Sequence, residues 1–312
     1  MNDPSHLPPA ILLMGPTATG KSDAALALAA RLSAEIVSVD SAMVYRGMDI
    51  GTAKPSPAEQ AAVPHHLIDI LDPAERYSAA QFRDDALAAM QTITDRGRVP
   101  VLVGGTLLYF RALMRGLAPL PGADPGYRAE VERQAEAIGW PALHARLATV
   151  DPEAAARIHP NDAQRIQRAL EVHHLTGETM TSQWQRAHEP PPYRLLRFGL
   201  MPSSRAMLHE RIEVRFRQMI AAGFIDEVVA LKERPDLTAE HPSMRAVGYR
   251  QIWAYLDGQR TREEAVTDAV VATRRYAKRQ MTWLRSEAGV QLFEPADPAL
   301  TEHLYVKAAA VL

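Results

Sequence analysis

The chain has 312 residues, 47% of them hydrophobic and 23% charged, with a formal net charge of −2; this length and composition suit a folded protein with a large core and exclude a disordered chain. The absence of cysteine removes disulfides, thiolate zinc sites, iron–sulfur clusters and a cysteine nucleophile together. No stretch approaches the roughly 18 apolar residues of a membrane span, and MNDPSHLPPAILLMG at the start has no basic leader. A soluble protein of the reducing cytoplasm, without a membrane partner, is therefore expected.

In chain order, the apolar run at 10–14 predicts a strand, followed by a glycine-containing loop and an Ala/Leu-rich helix to about Leu32. The β-branched runs 35–39 and 99–103 predict two more strands, with a helix over 78–96 between them. Strands alternating with helices imply an α/β fold, a parallel sheet with helices on both faces. From PLPGADP to EPPPY the pattern is helix and turn only, which predicts an inserted helical domain at 118–192 within a core of 1–117 and 193–312. Inside it, Asn161 as N-cap, Gln164 three residues on and Gly177 as C-cap predict a helix over 162–176. The run 195–201 returns as a strand, and Thr261 with Glu264 forms a capping box opening a long helix that ends near Arg285.

Residues 15–22, Gly15-Pro16-Thr17-Ala18-Thr19-Gly20-Lys21-Ser22, match GxxxxGK[ST] between a predicted strand and a predicted helix. In that context the glycines let successive N–H groups wrap an anion at a helix N-terminus. Lys21 supplies charge at a leaving phosphate and Ser22 a hydroxyl ligand for Mg2+. The core thus reads as P-loop NTPase-like. Yet VPVLVGGT carries no acidic residue where a nucleoside triphosphatase would hold its metal, and the only asparagines, Asn2 and Asn161, exclude a guanine-reading NKxD. The loop specifies a phosphate or diphosphate, not a nucleotide.

Asp40 closes the second predicted strand, and in a parallel sheet the ligand crevice lies beyond the strands' carboxyl ends. Asp40, the 15–22 loop and the glycines before Thr106 should converge there. A carboxylate so placed can sit beside a magnesium ion, cap a helix or act as a general base. Thr106 can orient an acceptor through its hydroxyl and also N-cap the helix over 107–115. The adjacent His65 and His66 should point to opposite faces of a strand and serve structural roles.

On the long final helix Arg274 and Lys278, and Arg275 and Arg279, repeat at i,i+4, away from the apolar Val266, Val270, Thr273 and Ala277. Gln164, Arg165 and Arg168 cluster similarly on the insert helix. Cationic and polar faces of this kind suit the backbone and unstacked bases of a loop RNA.

The runs GPTATGKS, DSAMVYRGMDIGTAKP, VGGTLLY, HPNDAQRIQRALEV, RAVGYRQ and ATRRYAKRQMTWLR, in this order, resemble the bacterial tRNA dimethylallyltransferase family over almost the whole chain. That resemblance implies transfer of a dimethylallyl group from dimethylallyl diphosphate to N6 of an adenine beside the anticodon. It implies diphosphate contacts from Thr17 to Ser22 and from Arg215, Asp40 as base, and Thr106 near the acceptor amine. It also implies tRNA contacts at Asp40, Ser41, Ala42, Met43, Arg128, Gln164, Arg165, Ile166, Gln167, Arg168, Arg245, Ala246, Val247, Gly248, Tyr249 and Arg250. Many relatives have Arg-Gln where this chain has Ala42-Met43, so position 43 offers only backbone or apolar contact. A monomer is expected. The rival readings are a small-metabolite or nucleoside kinase on the same core, which would consume ATP, and a non-catalytic RNA-binding regulator.

Overall fold

The computed structural model describes residues 6–118, 120–186 and 190–312. In chain order the core opens with β1 (Pro9–Met14), α1 (Lys21–Leu32), β2 (Ala34–Val39), α2 (Pro57–Ala62), β3 (His65–His66), α3 (Ala79–Asp95), β4 (Val99–Gly104) and α4 (Leu107–Arg115). A helical stretch follows: α5 (Pro125–Ile138), α6 (Trp140–Val150), α7 (Pro152–Arg157), α8 (Ala163–Thr176) and α9 (Met180–Arg186). The chain then returns as β5 (Arg194–Leu200), α10 (Arg205–Ala221), α11 (Phe224–Lys232), α12 (Tyr249–Leu256), α13 (Arg262–Ser286), β6 (Gln291–Phe293) and α14 (Leu300–Ala309).

The six strands form one sheet in the order β3-β2-β4-β1-β5-β6, and every pairing is parallel. β1 lies between β4 and β5, with Leu13 opposite Val103 on one side and Phe198 on the other. Such strands have no solvent face, which is why they read as continuous apolar runs. Ile11, Leu13 and Val101 pack with Ala25, Leu28 and Leu304 from α1 and α14, while Leu12, Val37 and Leu102 between them are equally buried. α3, started by the reciprocal capping box of Ser78 and Gln81, packs across β2 and β4. α10 to α13 build a second core in the same unit, in which Phe216, Phe224 and Tyr249 meet edge to face.

Two compact units result: residues 1–111 with 192–312, and residues 112–191. The helical unit therefore begins inside α4, ahead of the 118 read from composition. Its own core gathers Val131, Leu143, Leu147, Ile166 and Leu170. The cap of α8 differs from the sequence reading: Asp162, not Asn161, accepts from the Arg165 N–H, and the Asn161 N–H donates to His159. Asp162 is as good a cap as Asn and lies one residue nearer the first buried position, Ile166. Gly177 ends α8 at φ 71° as expected, and Thr261 and Glu264 form the capping box of α13. α14 and β6 were not read from the sequence. Among the described residues no helix is long and apolar enough to cross a membrane.

Candidate active site

The carboxyl ends of β1, β2 and β4 open into a cavity of about 600 Å3, walled on its far side by α10, α13 and the segment before α12. Thr17 to Asp23 line it, as do Asp40 to Met43, Gly104 and Gly105, Arg215, Arg245 to Val247, Tyr276, Arg279 and Gln280. Three segments distant in sequence thus meet at one sheet edge because a parallel sheet places all its strand ends together.

The loop after β1 is shaped for an anion. Gly15 and Pro16 are buried beneath it, and the Pro16 carbonyl accepts from Thr19 Oγ1 at 2.8 Å and Lys21 Nζ at 2.6 Å. Gly20 holds φ 78°, a left-handed conformation costly for other residues, and no side chain caps the N-terminus of α1 behind it. The first N–H groups of that helix are left to a ligand. Burial pushes the Lys21 amine down to about 7, Arg215 adds to the shift, and Asp40 opposes it. A bound diphosphate would restore the ammonium form, so the amine is held ready for an anion. Arg215 is itself pushed down by burial, against the pull of Asp40 and Asp23, and remains a cation. Ser22 faces the same cavity.

Asp40 Oδ1 accepts from the Ala42 N–H at 2.8 Å and the Met43 N–H at 3.3 Å, which folds residues 40–43 into a tight turn at the cavity edge. Thr106 stands at the start of α4, where its carbonyl accepts from the Tyr109 and Phe110 N–H groups. Its Oγ1 accepts from the Ser41 N–H at 3.0 Å and lies 3.4 Å from Ser41 Oγ, tying the end of β4 to the end of β2. The hydroxyl of Tyr276 donates to the Gly105 carbonyl at 3.3 Å; burial first, then the Asp40 charge, pushes that phenol up to about 12. His66 pairs with the buried Glu35 at 2.7 Å and His65 Nδ1–H donates to the Val63 carbonyl at 2.7 Å, so both histidines serve structural contacts.

Other expected contacts divide sharply. Ile166 and Tyr249 are fully buried, each in the core of its unit; Tyr249 donates to Glu227 at 2.5 Å and borders the cavity wall, and neither side chain lies on the outer surface. Gly248 is buried, whereas Arg245 and Arg250 are exposed. In the helical unit Arg128 grips Glu171 with two bonds of 2.8 and 2.9 Å, Arg168 joins the same carboxylate, and Gln167 bonds Glu132 and Arg128 O. Gln164 and Arg165 stay exposed, Arg165 paired with Asp162. On α13, Arg274 bonds Glu213 and the His209 carbonyl, while Arg275, Lys278, Arg279 and Trp283 share a shallow surface depression. Sequence reasoning missed Gln280 and Tyr276. The available signal was helical spacing, since Thr273, Tyr276 and Gln280 are polar positions on the buried side of α13.

The family model for IPP transferase matches residues 43–287. The tRNA dimethylallyltransferase of Methylococcus capsulatus is 58% identical over 299 residues, covering 96% of each chain. That of Alkalilimnicola ehrlichii is 62% identical over 283 residues, 91% of this chain and 89% of the relative. The crystal structure of the full-length tRNA isopentenylpyrophosphate transferase from Bacillus halodurans superposes with a TM-score of 0.72 at 42% identity, covering 97% of this chain and 96% of that one.

Proposed function

This chain belongs to the IPP transferase family, and from that premise we propose that it transfers a dimethylallyl group from dimethylallyl diphosphate to N6 of an adenine next to a tRNA anticodon. The observation that supports it best is the single cavity in which an uncapped helix N-terminus, Lys21 and Arg215 share space with Asp40 and the turn held by Thr106. One side suits a departing diphosphate; the other has a proton acceptor, Asp40, beside which an incoming amine could lie.

An exocyclic amine of adenine is a poor nucleophile, whereas an allylic diphosphate ionises readily once its leaving charge is stabilised. Lys21, Arg215 and the N–H groups of α1 provide that stabilisation where charge develops. Asp40 accepts the proton lost from N6 as the new C–N bond forms. Thr106, through Ser41, fixes the edge against which the base arrives. The acceptor must leave its stack, which costs a few kcal/mol and least in a loop. Among the described residues no group of three or more acidic or histidine side chains could hold a metal. Mg2+ would be bound through the diphosphate, water and the Ser22 hydroxyl, as suits a cation that keeps much of its water, and would neutralise the leaving group. For tRNA we assign Arg245 at the cavity, the exposed Arg250, the α13 stripe, and the exposed Gln164 and Arg165 of the helical unit.

Incubation with labelled dimethylallyl diphosphate, Mg2+ and unmodified tRNA, without ATP, should place the label on one anticodon-loop adenine. Absence of label on tRNA, with ATP-dependent phosphorylation of a small molecule instead, would overturn this in favour of the kinase reading.

A further inference from the structure

Gln280 is a polar side chain on the buried side of α13, only 1% exposed, and a lone buried amide must find partners for both ends. It does so across the cavity floor: its Oε1 accepts from the Thr17 N–H at 3.1 Å, and its Nε2 donates to the Gly105 carbonyl at 2.8 Å. Thr17 belongs to the diphosphate loop, and Gly105 immediately precedes Thr106, whose hydroxyl holds Ser41 beside Asp40. A Cβ on Gly105 would lie 2.3 Å from the Gln280 amide nitrogen, so the strand end has no side chain because the amide occupies that space.

We propose that Gln280 is a positioning residue that sets the spacing between the donor's diphosphate loop and the acceptor edge carrying Thr106 and Asp40. This rests on the transfer reaction proposed above. Both ends of the amide are taken up by the protein, so it acts as a two-ended clamp whose length fixes how far the allylic carbon lies from the incoming N6. Misplacement of about 1 Å in such a geometry costs up to about 10²-fold in rate, while the phosphate-binding N–H groups, at the start of α1, remain in place. Loss of the clamp should therefore slow the chemical step and leave both substrates bound.

The test compares wild type, Gln280→Leu and Gln280→Glu in single-turnover transfer of labelled dimethylallyl group to saturating unmodified tRNA. Dissociation constants for donor and tRNA and the melting midpoint are measured alongside. Gln280→Leu should transfer roughly 10- to 10²-fold more slowly with both dissociation constants within about threefold of wild type. Gln280→Glu carries the sharper readout. A protonated glutamic acid reproduces the amide's one acceptor and one donor, whereas the carboxylate turns an oxygen toward the Gly105 carbonyl. Its rate, divided by the wild-type rate at the same pH, should climb as pH falls from about 8 to 6, because burial raises a carboxyl pKa into that range. A Gln280→Leu rate equal to wild type overturns the inference. So does a slowing that weaker binding and lower stability account for in full, or a Gln280→Glu ratio that stays low at every pH. Wild type failing to label tRNA at all would instead refute the proposed reaction.

Discussion

Two groups of cations in this molecule look alike in sequence and differ in what the fold has done with them. In the helical unit, Arg128 and Arg168 surround the fully buried carboxylate of Glu171, which also accepts from the Asp124 N–H at 2.8 Å. At the sheet edge, Lys21 and Arg215 face a cavity in which the main nearby carboxylate, Asp40, is occupied by two backbone N–H groups. The first set is neutralised and holds helices together; the second is kept short of anions and waits for one. A basic residue in a motif therefore declares its role only when its carboxylate partner, or the lack of one, is known.

The comparison is broken most severely at Lys21. Lys21→Ala should lower transfer by about 10³-fold with an unchanged melting midpoint, since the amine supplies charge to a ligand and makes one internal hydrogen bond. The same amine gives a pH test. Its free-state value of about 7 lies below the ordinary 10.5, and a bound diphosphate favours the charged form. Binding thus takes up a proton above about pH 7, and donor affinity falls as pH rises from there, by up to about tenfold per unit. Calorimetry in buffers of different ionisation enthalpy reads the uptake directly; none at pH 8 would mean the amine is already charged.

Asp40→Asn comes next. The substitution keeps the acceptor for the Ala42 and Met43 N–H groups but removes basicity, so the turn should persist. Single-turnover transfer should fall by at least about 10²-fold with donor binding nearly unchanged. Weaker donor binding rescued by excess Mg2+ would instead place Asp40 beside the metal.

In the helical unit the expected loss is of structure. Burial alone would raise the Glu171 carboxyl, but its bonds from Arg128, Arg168 and the Asp124 N–H prevail and hold it down at about 2. A folded value below the unfolded 4.5 contributes stability that is complete above about pH 4.5 and is lost as pH falls through about 2. Glu171→Gln should cost about 3 kcal/mol at pH 7 and flatten this acid dependence, followed by denaturation. An equally steep acid transition in the variant would show that other carboxylates carry it.

That the 15–22 loop and Asp40 meet at one cavity was legible in the sequence, because they lie at strand ends, where a short pattern and the parallel topology suffice to place them. Gln280 was not: its partner Thr17 lies 263 positions away, and no local pattern reports which residue an inward-facing amide will meet. Ile166 and Tyr249 show the converse. Both lie in runs recognised as substrate-contacting, yet such runs also carry the side chains that anchor the segment, and burial separates the two only in three dimensions. The shift from Asn161 to Asp162 is smaller in kind, since two adjacent residues could cap α8 and the register of its buried face chose between them.

The smallest and most discriminating effect lies along α13, where both kinds of cation occur on one helix. Arg274 is paired with Glu213 at 2.8 Å, while no carboxylate among the described residues pairs with Arg275, Lys278 or Arg279, and Arg279 lies 5.7 Å from the Tyr276 ring centroid. Counterion release makes salt dependence a count of phosphate contacts, with a slope of about 0.7 to 0.9 per contact. Replacing Arg275, Lys278 and Arg279 with alanine should therefore weaken tRNA binding and flatten the log–log salt slope by up to roughly two to three units. Replacing Arg274 and Glu213 together by Met and Gln keeps the net charge, and it should leave that slope unchanged while lowering the melting midpoint. If the paired replacement flattens the slope as much as the triple one, Arg274 exchanges Glu213 for a phosphate on binding, and the division between neutralised and open cations does not hold on this helix. If neither changes it, the stripe is a solvated face and the tRNA backbone is held elsewhere.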